Sequence, residues 1–346
     1  MGETINPFQP KGNFGLRDGH GRRITYLRLS VTDRCNLRCL YCRSNARESF
    51  ILHENILRYE EMLRLVAILV RLGIGKVRLT GGEPFARKNC DRLLAMLRGR
   101  FPSLSLCVTT NGTLLEPYIP FLAKIGVGSV NLSLDSFDRQ TFAKTTGRDV
   151  LPAVLASLDG LLKAGIPVKI NAVAMRGIND TQLDDFVHAA KSMPVDVRFI
   201  EFMPMGSGTV WNETCFWPAG EVRAAIEDRA VLEEEHGGPE QFDGPARMFR
   251  VVGGKGRFGF ISSVTNHFCR ACNRLRLTSE GSLRTCLFDD EEYPLRGALR
   301  DASVTDEVLS RMVMDACLKK PVGADLLRAR RRGHPVASRV MSGIGG

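Results

Sequence analysis

The 346-residue chain has no run of eighteen apolar residues, the length a helix needs to cross a bilayer. Its first twenty residues include Pro7, Pro10, Lys11, Arg17 and Asp18 and contain no apolar leader core. A cytoplasmic protein with no membrane partner is therefore expected. There is no internal low-complexity segment, and a composition of 44% hydrophobic and 25% charged residues excludes a fibrous or disordered chain. Without a secretory leader, ten cysteines argue against a disulfide framework and for metal or redox chemistry.

The cysteines are unevenly placed. Six fall in two tight groups, whereas Cys90, Cys107, Cys215 and Cys317 stand apart and read as small buried residues or ordinary thiols. No third group exists. The first group, Cys35, Cys39 and Cys42, has the spacing C-x3-C-x2-C and follows an alternating strand-like run, Arg23 to Val31. Three thiolates suit iron or zinc. A structural zinc site would need a fourth ligand from a distant His or Cys, whereas a four-iron cube held by three cysteines keeps one iron open to a small molecule. The second group, Cys269, Cys272 and Cys286, is C-x2-C followed by thirteen residues and a third Cys across a hairpin turning at Gly281. His267 lies two residues before Cys269, so a Cys3His zinc set remains open there.

Between the two groups, apolar periodicity alternates. Strands are predicted at 76–80, 104–110, 129–135, 167–174 and 196–203, with helices at 59–72, 88–99, 115–125, 150–164 and 180–192. Regular βα alternation with short connections predicts a parallel sheet with helices outside. Six units fall short of the eight of a closed barrel, so the expected fold is α/β, a partial, incomplete TIM-type barrel of about six βα units with a C-terminal cluster-binding extension. Beyond Gly206 a helix is expected from Pro218 to Glu235, short strands within 246–265 and a last helix at 303–319. The expected organisation is an N-terminal arm at 1–21, a barrel at 22–240, a second-cluster and substrate region at 241–327, and a basic tail at 328–346 ending in Gly345-Gly346.

Ligands of parallel βα folds sit at the carboxyl ends of the strands. The unusual residues of this chain fall there: the first cysteine loop, Gly81-Gly82-Glu83-Pro84, Thr109-Thr110-Asn111-Gly112, Ser133-Leu134-Asp135, Asn171 and Glu201-Phe202-Met203. Lysine and arginine number 48 against 38 acidic residues, a net charge of +10, which favours an anionic partner: nucleic acid, a membrane surface or a small phosphorylated substrate. Arg274 and Arg276 are two apart on a predicted strand and share a face next to Cys272. Guanidinium forks bind phosphate bidentately. Arg28, Arg78, Lys169 and Arg198 add cations on or near four barrel strands, and a triphosphate would satisfy them.

The first cysteine loop, with Tyr41 as its aromatic residue, resembles the radical S-adenosylmethionine (SAM) enzymes. Together with Thr80-Gly81-Gly82-Glu83-Pro84, Thr109-Thr110-Asn111-Gly112, the Phe268 to Thr278 segment with Cys286, and the Gly345-Gly346 end, the chain resembles the GTP 3',8-cyclases of molybdenum cofactor biosynthesis, the MoaA family. The resemblance runs from about Arg17 to Gly346. It implies two 4Fe-4S clusters and SAM as cofactors, with Cys35, Cys39 and Cys42 carrying the SAM cluster and Cys269, Cys272 and Cys286 the second. It places Tyr41, Gly82, Ser133 and Met203 around SAM. GTP would be held by Arg28, Arg78, Thr109, Lys169, the Arg274-Leu275-Arg276 segment and Arg198, and Gly345 and Gly346 would reach the active site. An electron donor and the next enzyme of molybdopterin synthesis are the implied partners; nucleic acid is disfavoured and a homodimer is left open. Arg43-Ser44-Asn45 and Arg87-Lys88-Asn89 depart from the usual family pattern. The rival readings are another radical SAM enzyme with an auxiliary cluster and a zinc-bearing nucleic-acid-binding protein.

Overall fold

In a computed structural model the described residues are 15–42, 50–206, 210–235, 244–330, 337–339 and 341–345. Arg43-Ser44-Asn45, Arg331, Arg332 and Gly346 lie outside them.

Six strands alternate with helices as the periodicity requires: β1 Tyr26–Ser30, β2 Lys76–Thr80, β3 Ser105–Thr110, β4 Ser129–Ser133, β5 Val168–Ala174 and β6 Val195–Glu201. The helices between them are α1 Tyr59–Arg71, α2 Cys90–Arg100, α3 Ile119–Lys124, α4 Arg139–Thr146, α5 Leu151–Lys163 and α6 Leu183–Ser192. Helix α1 shows the logic. Met62, Leu65, Val66 and Leu69 recur on one face and are fully buried, and its first turn is closed by a reciprocal cap between Arg58 and Glu61. Helix α4 was missed because Arg139-Gln140-Thr141 and Lys144 obscure its apolar face. Asp138 caps it through the Thr141 amide at 2.8 Å, and Gly147 ends it.

After β6 come α7 Ala219–Glu227, β7 Leu232–Glu234, β8 Arg247–Val251, β9 Arg257–Ile261, β10 Arg274–Leu277, β11 Ser282–Arg284 and β12 Tyr293–Pro294. Helices α8 Arg296–Arg300, α9 Asp306–Leu318, α10 Gly323–Arg330 and α11 Met341–Ile344 complete the chain. The helix expected over 218–235 is therefore corrected: α7 stops at Glu227, and 232–234 pairs with β8 as an antiparallel strand. Arg328 and Arg330 of the basic run belong to α10. The N-terminal arm is packed from Gly15 onward. Leu16 donates its amide to Leu72 O and receives that of Ile24, both at 2.8 Å, and its side chain is buried.

All twelve strands form one sheet in the order β12-β11-β10-β1-β2-β3-β4-β5-β6-β9-β8-β7. The eight central strands, β10 through β9, are mutually parallel, with antiparallel hairpins at both ends. Among the described residues the terminal strands β12 and β7 do not pair with each other, so the sheet is open there. Strands β9 and β10, from the C-terminal third, flank the six sequential strands. The second cysteine group is thereby attached to the same sheet as the first, as β10 pairs with β1.

Candidate functional site

The parallel register aligns the side chains in tiers. Arg274, Tyr26 and Lys76 are partners across β10, β1 and β2, and two residues further on Arg276, Arg28 and Arg78 are abreast. Residues two apart on a strand share a face, so both tiers look into one cavity. Among the described residues, that cavity is lined by all six clustered cysteines and by eight cations, Arg28, Lys76, Arg78, Lys169, Arg198, Arg274, Arg276 and Lys320, against one carboxylate, Glu201. Glu201 is already spent: it accepts the amides of Ala219 (3.0 Å), Val264 (2.7 Å) and Thr265 (2.9 Å).

Of the residues singled out from the sequence, Tyr41, Gly82, Thr109, Ser133, Met203, Arg28, Arg78, Lys169, Arg198, Arg274 and Arg276 line this cavity. Leu275 does not. Its side chain points to the opposite face of β10 and is fully buried in the main hydrophobic core, so only its backbone faces the site's strand edge. Tyr26, Lys76, Asn131 and Lys320 also line the cavity and were missed. Three of them carried a signal, because each lies two residues before a singled-out position, Arg28, Arg78 or Ser133. Lys320 carried none, for it comes 34 residues after Cys286.

Six buried polar atoms on the lining have no hydrogen-bond partner among the described residues: Thr80 Oγ1, Thr109 Oγ1, Asn131 Oδ1, Asn171 Oδ1, Arg198 Nε and Thr285 Oγ1. Buried polar groups are ordinarily satisfied, so the cavity is built for a polar guest. The cations report the same demand. Burial, with Tyr26 holding against it and Arg78 and Arg274 adding to it, brings Arg28 down to about 10. Burial together with Arg28 and Arg274 lowers Arg276 far below the usual range. Burial and then Arg198 bring Lys169 to about 8. A phosphate among them would relieve this repulsion. Arg78 is the most firmly placed, donating to Tyr26 Oη (2.9 Å), Val108 O (2.8 Å) and Ser129 Oγ (3.2 Å).

The first cysteine loop is fixed by its neighbours. Gly82 donates to Thr32 O at 2.7 Å and Glu83 to Arg34 O at 2.8 Å, joining the loop to the end of β2. Tyr41 donates its hydroxyl to Asp135 at 2.7 Å, and Asn111 Nδ2 donates to Asn36 at 3.0 Å. Arg87, one of the departures from the family pattern, binds Val31 O (2.6 Å) and Leu57 O (2.7 Å) and lies 4.2 Å from the Tyr59 ring centre, so it supports the loop from behind. Burial pushes the Cys39 thiol far up, with Asp135 adding to it.

The second triad is differently surrounded. Burial opposes the Cys272 thiolate, but Arg274 and Lys320 outweigh it and bring the thiol down to about 6. The first residue of α10, Gly323, passes so close that a Cβ there would lie 2.8 Å from Cys286 Sγ and 3.6 Å from Cys269 Sγ. Both sulfurs therefore face one small space that a larger residue would fill. Among the described residues no group of three or more His, Cys, Asp or Glu side chains is placed to hold a metal ion; the three thiolates line one cavity wall with an open space before two of them. His267, the proposed fourth zinc ligand, has its Nδ1 at 2.9 Å from Ser263 O.

The C-terminal tail enters the cavity. Gly345 is buried, its φ is +78°, and its carbonyl accepts from Arg276 (2.9 Å) and Arg28 (3.4 Å).

Residues 29–190 match the radical SAM superfamily model and residues 195–326 the Molybdenum Cofactor Synthesis C model. The chain is 43% identical over 308 residues to a GTP 3',8-cyclase of Syntrophomonas wolfei subsp. wolfei, covering 88% of this chain and 93% of that protein. It is 39% identical over 335 residues to the GTP 3',8-cyclase of Thermodesulfovibrio yellowstonii, covering 96% and 100%. Among solved structures, Streptococcus suis SuiB bound to S-adenosylmethionine superposes with a TM-score of 0.62 at 15% identity, covering 94% of this chain and 78% of that one, a likeness of fold. Matches to both family models and near-full-length identity to these enzymes show that the chain belongs to the GTP 3',8-cyclase family of the radical SAM superfamily.

Proposed function

We propose that this protein converts GTP to (8S)-3',8-cyclo-7,8-dihydroguanosine 5'-triphosphate in the first step of molybdenum cofactor biosynthesis. The observation that carries the reading is one cavity holding two thiolate triads, eight cations and six orphaned polar atoms. Cys35, Cys39 and Cys42 are assigned to the cluster that binds SAM, and Cys269, Cys272 and Cys286 to a second 4Fe-4S cluster. When bound, these groups supply the reducing electron and the deoxyadenosyl radical that takes the ribose 3' hydrogen.

The chain's own residues do the rest. Tyr41, Gly82, Ser133 and Met203 form the SAM pocket at the ends of β1, β2, β4 and β6. The tiers of Arg28, Arg78, Arg274 and Arg276, extended by Lys169 and Arg198, neutralise the triphosphate and anchor it, while Thr109 offers its unpartnered hydroxyl. Only the Leu275 backbone is assigned a role. Holding the nucleotide by its phosphates presents the ribose and base between the two triads, so that the reacting groups are brought together before any chemistry begins. Gly345, and with it Gly346, supplies backbone polar groups inside the site.

Residues 22–240 are assigned as a partial barrel of six βα units and 241–327 as the second-cluster and substrate region, followed by the tail. A one-electron donor and an acceptor enzyme for the product are implied, and the protein is assigned to the cytoplasm; among the described residues no helix is long and apolar enough to cross a membrane. The zinc-bearing nucleic-acid-binding alternative, for which the basic tail would be the contact surface, is disfavoured by the match of residues 29–190 to the radical SAM superfamily and by 43% identity to a GTP 3',8-cyclase. The test is anaerobic incubation with SAM, a reductant and GTP deuterated at C3'. Deuterium should appear in 5'-deoxyadenosine together with the cyclised nucleotide. Unlabelled 5'-deoxyadenosine with GTP unchanged would contradict the assignment.

A further inference from the structure

Lys320 lies two residues beyond the end of α9 and is 2% exposed. Its Nζ donates to the carbonyls of Arg274, at 2.9 Å, and Thr285. Arg274 lies two residues after Cys272, and Thr285 immediately precedes Cys286. One ammonium is thus fastened to the backbone beside two of the three thiolates of the second triad, on the wall of the cavity that all three line. The position is held from outside by Arg22, which donates to Cys269 O (2.6 Å), Lys320 O (3.1 Å) and Pro321 O (2.9 Å) and is paired with Asp18 at 2.5 Å.

A buried ammonium requires an anionic partner. Among the described residues no carboxylate forms an ion pair with Lys320, and Asp18 is committed to Arg22 and to the amides of His20 and Arg22. The negative groups this ammonium is placed beside are the thiolates of Cys272 and Cys286, which line the same cavity and whose neighbours in sequence supply its two carbonyls.

We propose that Lys320 is a positioning residue that supplies the counter-charge of the second cluster and raises its reduction potential. This rests on the assignment of a 4Fe-4S cluster to Cys269, Cys272 and Cys286. Adding an electron to a centre held by three thiolates increases its negative charge, and a fixed cation in a low-dielectric wall stabilises that added charge.

The test is an anaerobic potentiometric titration of the full-length holoenzyme followed by electron paramagnetic resonance, with the first cluster as internal reference. Lys320→Gln keeps amide donors for the two carbonyls and removes the charge; Lys320→Arg keeps the charge. The Gln variant should make the second cluster at least tenfold harder to reduce, about 59 mV for one electron, with the first cluster unmoved. The Arg variant should stay within threefold of the parent. A second cluster present at parental potential in the Gln variant would overturn the inference. If Gln empties the second site, Arg must fill it; loss of iron in both variants would mean a packing role and also overturn it. A parent protein carrying only one cluster would instead sink the underlying assignment, an outcome recognisable before any variant is made.

Discussion

Gly345→Ala perturbs the cavity without touching a cysteine or a cation. The Gly345 φ of +78° lies in the left-handed region, where an L residue costs roughly 1–2 kcal/mol. The added Cβ would lie 2.9 Å from both Ser30 Cβ and Thr80 Oγ1, at the ends of β1 and β2. Those neighbours belong to central strands and cannot retreat, so the tail must. Withdrawal removes the hydrogen bonds from Arg276 and Arg28 to the Gly345 carbonyl, each of the charge-assisted kind worth about 1.5–3 kcal/mol. The strain alone shifts tail occupancy about tenfold, since 1.4 kcal/mol is a factor of ten. Anaerobic turnover should show cyclisation at least tenfold slower, with iron content and GTP affinity near parental. Carboxypeptidase should also trim the variant's tail faster. A variant with full turnover and unchanged trimming would show that the close approach at Ser30 and Thr80 does not position the tail.

Arg274→Ala and Arg276→Ala should each weaken GTP binding by about 1.5–3 kcal/mol in calorimetry, with SAM affinity little changed; equal loss of both ligands would indicate misfolding instead. Lys169 titrates near 8 in the free protein, below its ordinary 10.5, because burial and Arg198 disfavour its charge. Its folded pKa is lowered, so the cost of charging it is borne below about pH 8 and fades as pH rises toward the unfolded value. Phosphate contact reverses the preference. GTP binding should therefore take up protons around pH 8 and weaken from pH 7 to 9, as read by calorimetry in buffers of different ionisation enthalpy; Lys169→Arg should abolish the uptake. Replacing Cys35, Cys39 and Cys42 by Ala should abolish SAM cleavage, whereas replacing Cys269, Cys272 and Cys286 should leave some uncoupled cleavage and no cyclised product, separable by chromatography. Parental cyclisation by the second variant would reduce that triad to a structural role.

Much of the site was legible because its determinants are local. Strand alternation places Arg28, Arg78 and Lys169 on one face, and the strand ends carry Gly82, Thr109 and Ser133. Where the determinant is long-range, the sequence is silent. Leu275, between two cavity arginines, is the exception: the period-two geometry of β10 that separates it from them is itself local. Strand β7 was read as the end of a helix because its pairing with β8 is a tertiary fact. Lys320 reads as one of two adjacent lysines until α9 carries it to the second triad. The contact of the His267 Nδ1 with the backbone carbonyl of Ser263 is likewise invisible in the sequence.

Two thiolate triads facing one cavity are the centre of this account, and counting their metal tests it most directly. Protein purified anaerobically and reconstituted should contain about eight irons and about eight sulfides per chain, two cubes of four, and GTP should perturb the spectrum of only one of them. Four irons with one zinc per chain, and a spectrum indifferent to GTP, would contradict it.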